Sequence, residues 1–549
     1  MKALYQDLKW FLEQKLYMFC IILTAACSYG FQIVHPVIGI DDTAVELYLQ
    51  DGLEVVMGRW TLFLINKVFP VAEFAPFMLE LVGVIFLTSS SILFCVLMKN
   101  CIGEKDSKSY LIAYTVFACV LISNPIISEV FIYFYHNGSG LAYILTALAL
   151  IVFEKTLEKS KGNSKAYLLS MILAWIAIGC YESFVILYIL GVIVILFLHG
   201  VTHPEKLKAG MIFKSLSVCA VQVVACIVLR GIMIALLTEV FHLHAVEGIK
   251  AQRSLLEMSA LLGEDGVDTL IMLIKRYYVV YFVNGVCYLP STGNVFATFV
   301  IGLLSIVLAI KYKKVWYPIL WCGMLLTPFL LTLATTEVTL YRSCQYLPFY
   351  VAVGAFLLSR IVLSLKRGRI CKAILVIVAM AWVFNQSSAM NKSFYIDYLK
   401  YEHTKEVLGN VAYEVKKNFG TEKPILFVGH YDVPQEFLTD YYVGYGSKEY
   451  QWIVRLTDPI DPHLKEKYYT PYGYSFVGEA AYPFIEWGLT GFDGTNHQMI
   501  RFLEMHGHSF ETITDLTLIE EAKEIGDTMP RWPREGSIAE QEEYILIHM

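Results

Sequence analysis

A chain of 549 residues that is 56 % apolar and only 17 % charged, with a mean hydropathy of +0.55, is too apolar for an ordinary soluble protein and reads as a polytopic membrane protein. Its net charge of −6 is uneven: residues 391–549 carry 14 Lys+Arg against 26 Asp+Glu, while the first 390 carry 29 against 23. The acidic C-terminal part excludes a nucleic-acid partner, and 12 cysteines that all lie at or before Cys371, mostly in apolar runs, exclude a disulfide framework or a CxxC metal site.

The N-terminal stretch MKALYQDLKWFLEQKLYMF places lysines ahead of the first apolar run and offers no small-residue cleavage site. That run is therefore a retained span. A span needs about 20 apolar residues to cross roughly 30 Å of hydrocarbon. Spans are predicted at 16–34, 74–98, 110–124, 139–153, 166–180, 182–198, 212–237, 293–310, 315–335, 344–364 and 371–390. The expected fold is thus an α-helical polytopic membrane protein with about 11 transmembrane helices. Residues 166–198 are split at Glu182, because one unbroken helix there would be about 50 Å long and would put every later basic loop on the wrong side.

Lysines set the orientation. Lys2, Lys9 and Lys15 precede the first span; Lys99, Lys105 and Lys108 follow the second. Further clusters are Lys155–Lys165, Lys206–Lys214, Lys311–Lys314 and Lys366–Lys372. Every second loop is basic, which predicts that these loops and the N-terminus are cytoplasmic. Residues 391–549 then lie outside as an α/β domain of about 150 residues. Its predicted elements are a helix over TKEVLGNVAYEVKKNFG, a buried strand at PILFVG, a helix at NHQMIRFLEMHG and a closing strand at EYILIHM. The predicted organisation is 1–390 as transmembrane catalytic domain and 391–549 as extracytoplasmic domain, with no internal repeat and no low-complexity tract.

The first outer loop, residues 35–73, holds the most informative stretch, GIDDTAVELYLQDGLEVVMGRW (39–60). Thr43 and Glu46 form a T-x-x-E capping box, so an interfacial helix is predicted over about 43–57, starting near Ala44 and ended by Gly58. At about 100° per residue, Glu46, Gln50, Asp51 and Glu54 fall on its polar side, and Val45, Tyr48, Leu49, Leu53 and Val56 on its apolar side. Asp41 and Asp42 sit just before this helix, where the macrodipole favours negative charge. Two readings stand: one aspartate is a general base, or one caps the helix while the other is solvated.

An Asp-Asp pair after the first span, an interfacial helix and then Gly-Arg resembles the bacterial Gtr-type, serotype-converting glucosyltransferases. Those belong to the GT-C class of multi-span glycosyltransferases that use polyprenyl-phosphate sugars. MPRWPREGSI and the terminal strand also look like that family's C-terminal end. The resemblance in layout spans the chain, while the motif match is specific at 39–60 and loose at 529–549. It implies a GT-C-like enzyme that moves a sugar, glucose by family, from polyprenyl phosphate to a cell-surface polysaccharide outside a bacterial cell membrane. It also implies a catalytic base at Asp41 or Asp42.

Such a donor needs cations near the outer interface. Arg59 lies within the motif; Arg230 lies about 12 Å inside its span. Arg342 sits in a short outer loop, and Lys275 and Arg276 in the long loop 238–292. Arginine suits phosphate through its planar fork. Arg230 has the alternative of pairing with Glu80 to serve folding, and Lys275 and Arg276 that of snorkelling. Glu129, His136, Asn137 and Glu182 are further cavity-lining candidates. The expected reaction is an inverting displacement in which one carboxylate deprotonates the acceptor hydroxyl and the arginines hold the departing phosphate. The short histidine clusters Glu239/His242/His244 and His506/His508 are read as loop residues in water, so no cofactor and no metal site is expected. Three rivals are weighed: a flippase for lipid-linked sugars, a polysaccharide polymerase or ligase, and a glycan-binding receptor. The missing repeats and the charges gathered at the outer face favour the transferase over the flippase.

Overall fold

A long apolar run in a bilayer has one economical form, the helix, which satisfies its own backbone groups away from water. The computed structural model describes residues 2–38, 42, 52–68, 76–103, 110–131, 138–157, 164–243, 266–278, 292–335, 343–365, 368–429, 431, 469–470, 473–474 and 494–549. In chain order its helices are α1 (Lys2–Leu12), α2 (Lys15–Val34), α3 (Leu53–Val56), α4 (Trp60–Val68), α5 (Pro76–Ile102), α6 (Leu111–Ile122), α7 (Ser128–Phe131), α8 (Gly138–Leu157), α9 (Ser164–Cys180) and α10 (Phe184–Thr202). They continue as α11 (Ala209–Val240), α12 (Gly266–Tyr278), α13 (Thr292–Tyr312), α14 (Trp316–Leu326), α15 (Phe329–Thr335), α16 (Leu347–Ser364), α17 (Gly368–Asn418), α18 (His497–Met505) and α19 (Leu516–Gly526). The strands are β1 (Ile425–Val428), β2 (Tyr469–Thr470), β3 (Gly473–Tyr474), β4 (Ile538–Glu540) and β5 (Ile545–His548).

Every predicted span carries helix. Among the described residues eight helices, namely α2, α5, α8, α10, α11, α13, α16 and α17, are long and apolar enough to cross a membrane. The stretches around α6, α9 and α14 are apolar but shorter. The run 166–198 is broken as its glutamate suggests: α9 stops at Cys180 and α10 starts at Phe184.

Polar side chains stitch the apolar interior together. Ser28 on α2 meets Ser387 on α17 at 2.8 Å, Tyr29 donates to the Ile122 carbonyl at 2.8 Å, and Ser123 donates to Gln386 at 2.9 Å. Helices also approach closely where residues are small. A Cβ on Gly140 of α8 would lie 2.7 Å from the Gly83 carbonyl oxygen of α5, and one on Gly354 of α16 would lie 2.8 Å from Ala297 of α13.

The basic loops gather at one end. Lys99 at the end of α5 pairs with Asp7 of α1, and Thr202 after α10 donates to the Cys101 carbonyl at 3.2 Å. His199 faces Glu154 of α8 at 3.3 Å, Lys314 donates to the Leu207 carbonyl at 2.8 Å, and Arg360 stacks on Tyr110. The opposite end holds the segment after α2. There His35 meets Tyr398 of α17 edge to face at 5.2 Å, Phe31 meets Tyr395 and Tyr398, and Val37 is buried against Tyr398 and Tyr401.

The helix predicted over 404–420 is not separate. It is the last part of α17, a continuous 51-residue helix roughly 77 Å long that contains the predicted domain boundary at 390/391. Its polar half keeps an apolar stripe, Val407, Leu408, Val411 and Val415, and the chain turns away at Gly420 with φ +82°. Beyond it β5 is central, parallel to β1 and antiparallel to β4, with Ile425 opposite Ile545. Alternation sends Ile425, Phe427, Ile545 and Ile547 toward α17 and α18, and Leu426, Val428 and Leu546 toward α19. Both strands are buried on both faces, as PILFVG and EYILIHM predict. The Asp515 side chain caps α19 through the Thr517 amide at 2.8 Å.

Candidate active site

The first outer loop departs from the single amphipathic helix expected of it. Asp42 is already helical, ahead of the start predicted near Ala44; Asp41 and the Thr43–Glu46 capping box lie outside the described residues. Gly52 then adopts a left-handed φ of +78°, so α3 is a new helix and not the end of a continuous one. The break changes which side chains face inward. Glu54, expected on the polar face, is 0 % exposed.

α3 ends in a Schellman closure. The Gly58 amide donates to the Val55 carbonyl and the Arg59 amide to the Glu54 carbonyl, both at 2.8 Å. Gly58 has φ +84°, and a second constraint acts on it. The guanidinium of Arg230, from the middle of α11, lies on its Cα: an added Cβ would fall 1.9 Å from Nη2. The same Nη2 donates to the Met57 carbonyl at 2.6 Å. The Gly-Arg dipeptide thus closes α3, seats Arg230 and starts α4, where the Phe63 amide bonds the Arg59 carbonyl at 3.0 Å.

Arg59 is 3 % exposed. Its Nε lies 3.5 Å from Glu182 Oε2, and its guanidinium sits 4.8 Å from the centroid of the Tyr181 ring. Both partners occupy the short turn between α9 and α10. The turn is held against α4 by the Thr61 hydroxyl, which donates to the Ile176 carbonyl at 2.9 Å, and by Trp60 packed on Trp175 at 4.4 Å. Arg230 feels the attraction of Glu182 and the repulsion of Arg59. On the other side Asn66 of α4 donates to Glu54 Oε2 at 3.4 Å. Burial pushes the Glu54 carboxyl up to about 8, against the lowering effects of Arg59 and the Asn66 hydrogen bond.

Three predicted residues, Arg59, Arg230 and Glu182, therefore meet at one place. Asp42 is buried and engaged with its surroundings. Asp41, His136, Asn137 and Arg342 lie outside the described residues. Glu129 lies on α7, and Lys275 and Arg276 on α12, with their side chains outside the description. The alternative pairing of Arg230 with Glu80 is not what forms: Gln32 reaches Glu80 at 3.5 Å between α2 and α5, while Glu182 is the carboxylate that acts on Arg230. Glu54, Asn66 and Tyr181 were missed. Asn66, a polar residue inside TLFLINKVF, was the available signal.

Of the two histidine clusters, His244 lies outside the described residues and His506 and His508 contact their own domain. His506 bonds Tyr401 at 2.9 Å and the Phe502 carbonyl at 2.7 Å, and His508 faces Lys416. Among the described residues no three His, Cys, Asp or Glu side chains converge as metal ligands. The arrangement at the α3–α4 junction suits an anion instead, because two buried guanidinium groups converge on a single turn.

The sequence model of the glucosyl transferase GtrII family matches residues 30–359. The chain belongs to the GtrII glucosyl transferase family. It is accordingly a membrane glycosyltransferase. No curated protein and no solved structure matches it. The GtrII match runs from the last turns of α2 into α16 and takes in the Asp pair, the α3 closure, Arg59, Glu182 and Arg230. It stops short of α17 and the C-terminal sheet, so the GtrII family assignment does not draw on the stretch 529–549.

Proposed function

We propose that this GtrII transferase moves glucose from a polyprenyl-phosphate donor to a cell-surface polysaccharide on the outer face of a bacterial cell membrane. The observation that carries the reading is the pair of buried arginines, Arg59 and Arg230, fixed around Gly58 next to the loop that bears Asp41 and Asp42. Arg59 and Arg230, joined by Arg342, hold the donor phosphate. One aspartate takes the proton of the acceptor hydroxyl, the hydroxyl oxygen attacks the anomeric carbon, and the bond to the phosphate oxygen breaks with inversion. Phosphate leaves as a stable anion, so the route needs one carboxylate base and no acid.

The orientation has support from packing. The basic loops are joined to one another at one end of the bundle, and the positive-inside tendency makes that end cytoplasmic. The segment after α2 packs on α17 at the other end, which supports a C-terminal sheet on the same side as the Asp pair.

The test is transfer of labelled glucose from the polyprenyl-phosphate donor by the purified parent and by Asp41→Asn and Asp42→Asn. A loss of roughly 100-fold or more in at least one variant is expected of a general base. Full activity in both removes the base assignment, and lipid movement without transfer supports a flippase. Cysteine labelling that finds 391–549 in the cytoplasm would invert the face on which the chemistry is placed.

A further inference from the structure

Where α3, α4, the 181–183 turn and α11 meet, two carboxylates accompany two guanidinium groups, and the carboxylates have different surroundings. Glu182 is in the ion pair with Arg59, and its side chain keeps 14 % exposure. Glu54 is fully enclosed. Its Oε2 receives one long bond from Asn66, and its Oε1 has no hydrogen-bond partner among the described residues. Among the described residues its other neighbours are few. α9 contributes Cys180, whose thiol interacts electrostatically with Glu54, and Arg59 contributes its charge from the far end of α3. Glu182 and Arg230 come from the turn and from α11. An anion in this place would lose its hydration with one weak hydrogen bond in return, whereas a neutral carboxyl loses far less.

We propose that Glu54 is a positioning residue of the transferase that keeps its proton at neutral pH, so that Arg59, Arg230 and Glu182 together present one net positive charge to the donor phosphate. The inference rests on the polyprenyl-phosphate reading above. A phosphodiester donor carries one negative charge, and the phosphomonoester that departs gains most of a second. A cluster with one positive charge in excess matches the donor and gains from the charge that develops. With Glu54 ionised these four groups are balanced, two against two, and their contribution to that gain disappears. No bond changes at Glu54 and its proton stays where it is. Its placement has a local reason: Glu54 lends its carbonyl to the Arg59 amide in the α3 closure, so one residue fixes the position of Arg59 and sets the charge around it.

The experiment measures KM for the polyprenyl-phosphate donor as a function of pH with the full chain in nanodiscs. In the parent, KM should rise as the pH passes about 8, where burial has moved the carboxyl, and approach roughly tenfold per pH unit, the slope of a single proton. In Glu54→Gln, which keeps the shape and cannot ionise, the ratio of high-pH to neutral KM should stay within about twofold. Asn66→Ala removes a hydrogen bond that favours the anion, so its inflexion should move upward. Cys180→Ala should keep the parental slope. A parental profile in Glu54→Gln or Asn66→Ala, or loss of the slope in Cys180→Ala, overturns the assignment. A second readout does not depend on turnover: the parent at neutral pH should show an infrared band of a protonated carboxyl that Glu54→Gln lacks. That band without glucosyl transfer at any pH would sink the polyprenyl-phosphate reading alone; its absence would overturn the role of Glu54.

Discussion

The sharpest perturbation available is one methyl group at position 58. In Gly58→Ala the new Cβ would lie 1.9 Å from Arg230 Nη2 and 2.1 Å from both Cζ and Nε. Three guanidinium atoms inside van der Waals contact cannot be accommodated by a small rotation. Arg230 must leave its seat and give up the bond to the Met57 carbonyl. Losing a hydrogen bond from a charged group costs roughly 1.5–3 kcal/mol. Holding an L-residue at the left-handed φ of +84° costs roughly 1–2 kcal/mol more. The total is about 2.5–5 kcal/mol if both are paid in full.

Gly52→Ala is the internal control. It shares the left-handed backbone at φ +78°, and its Cβ would meet the branched end of Leu243 at 2.4–2.9 Å, a flexible side chain that gives up no hydrogen bond when it shifts. It should cost roughly 1–2 kcal/mol, the conformational part alone. Thermal unfolding in detergent ranks the two variants, and a double-mutant cycle isolates the contact. In an Arg230→Ala background, Gly58→Ala should fall to the cost of Gly52→Ala, leaving a coupling of about 1.5–3 kcal/mol. Glucosyl transfer should fall at least tenfold in Gly58→Ala if Arg230 holds the donor phosphate as proposed, because it would no longer stand there. Equal destabilisation by both alanines, with no coupling to Arg230, would refute the seating of Arg230 on Gly58 and with it the arginine pair.

Glu182→Gln should lower transfer at least tenfold while the chain stays folded. Its partly exposed side chain puts the loss of this pair below the roughly 3–5 kcal/mol of a fully buried one; wild-type rates in this variant would separate the pair from catalysis. Tyr398→Ala removes the ring that meets Phe31 and His35, contacts worth about 0.5–1.5 kcal/mol each. It should lower kcat for transfer more than it raises the donor KM, because it loosens the segment leading to the Asp pair; an unchanged kcat would contradict that coupling.

What was legible in the sequence follows from the length of each signal. A run of 20 apolar residues is strong evidence for a helix, and one glutamate among 33 residues was enough to place the α9–α10 break, since a charge inside hydrocarbon is costly. The strands β1 and β5 were legible because both are buried along their length and their sequences, Ile425–Val428 and Ile545–Ile547, are apolar runs. The first outer loop was harder to read. A helical projection assumes one phase throughout, and a left-handed glycine resets it. Gly52 was visible as a residue, but nothing in the one-dimensional pattern fixed its φ, so Glu54 was assigned to the wrong face. The convergence of Arg59, Glu182 and Arg230 was legible only as three separate candidates. Their meeting depends on which helices pack together, and that information is spread over more than 170 residues of chain. The predicted boundary at 390/391 assumed that an apolar span and a polar helix are separate elements; α17 runs unbroken from its apolar half into its polar half.

That continuity bears on how the GtrII unit holds its loop. The family match ends at residue 359, yet α17 supplies Ser387 to Ser28, Gln386 to Ser123, and Tyr395 and Tyr398 to Phe31 and His35. Each of those partners lies on or just after α2, or at the end of α6, and α2 leads within eight residues to Asp42. The same helix then carries Val407, Leu408, Val411 and Val415 into the core beneath the C-terminal sheet. The C-terminal sheet and the segment before the aspartates therefore pack on one continuous helix. The polar helix and the apolar span are one element, and the aromatic clasp on His35 and Val37 is where that element meets the segment that leads to Asp42.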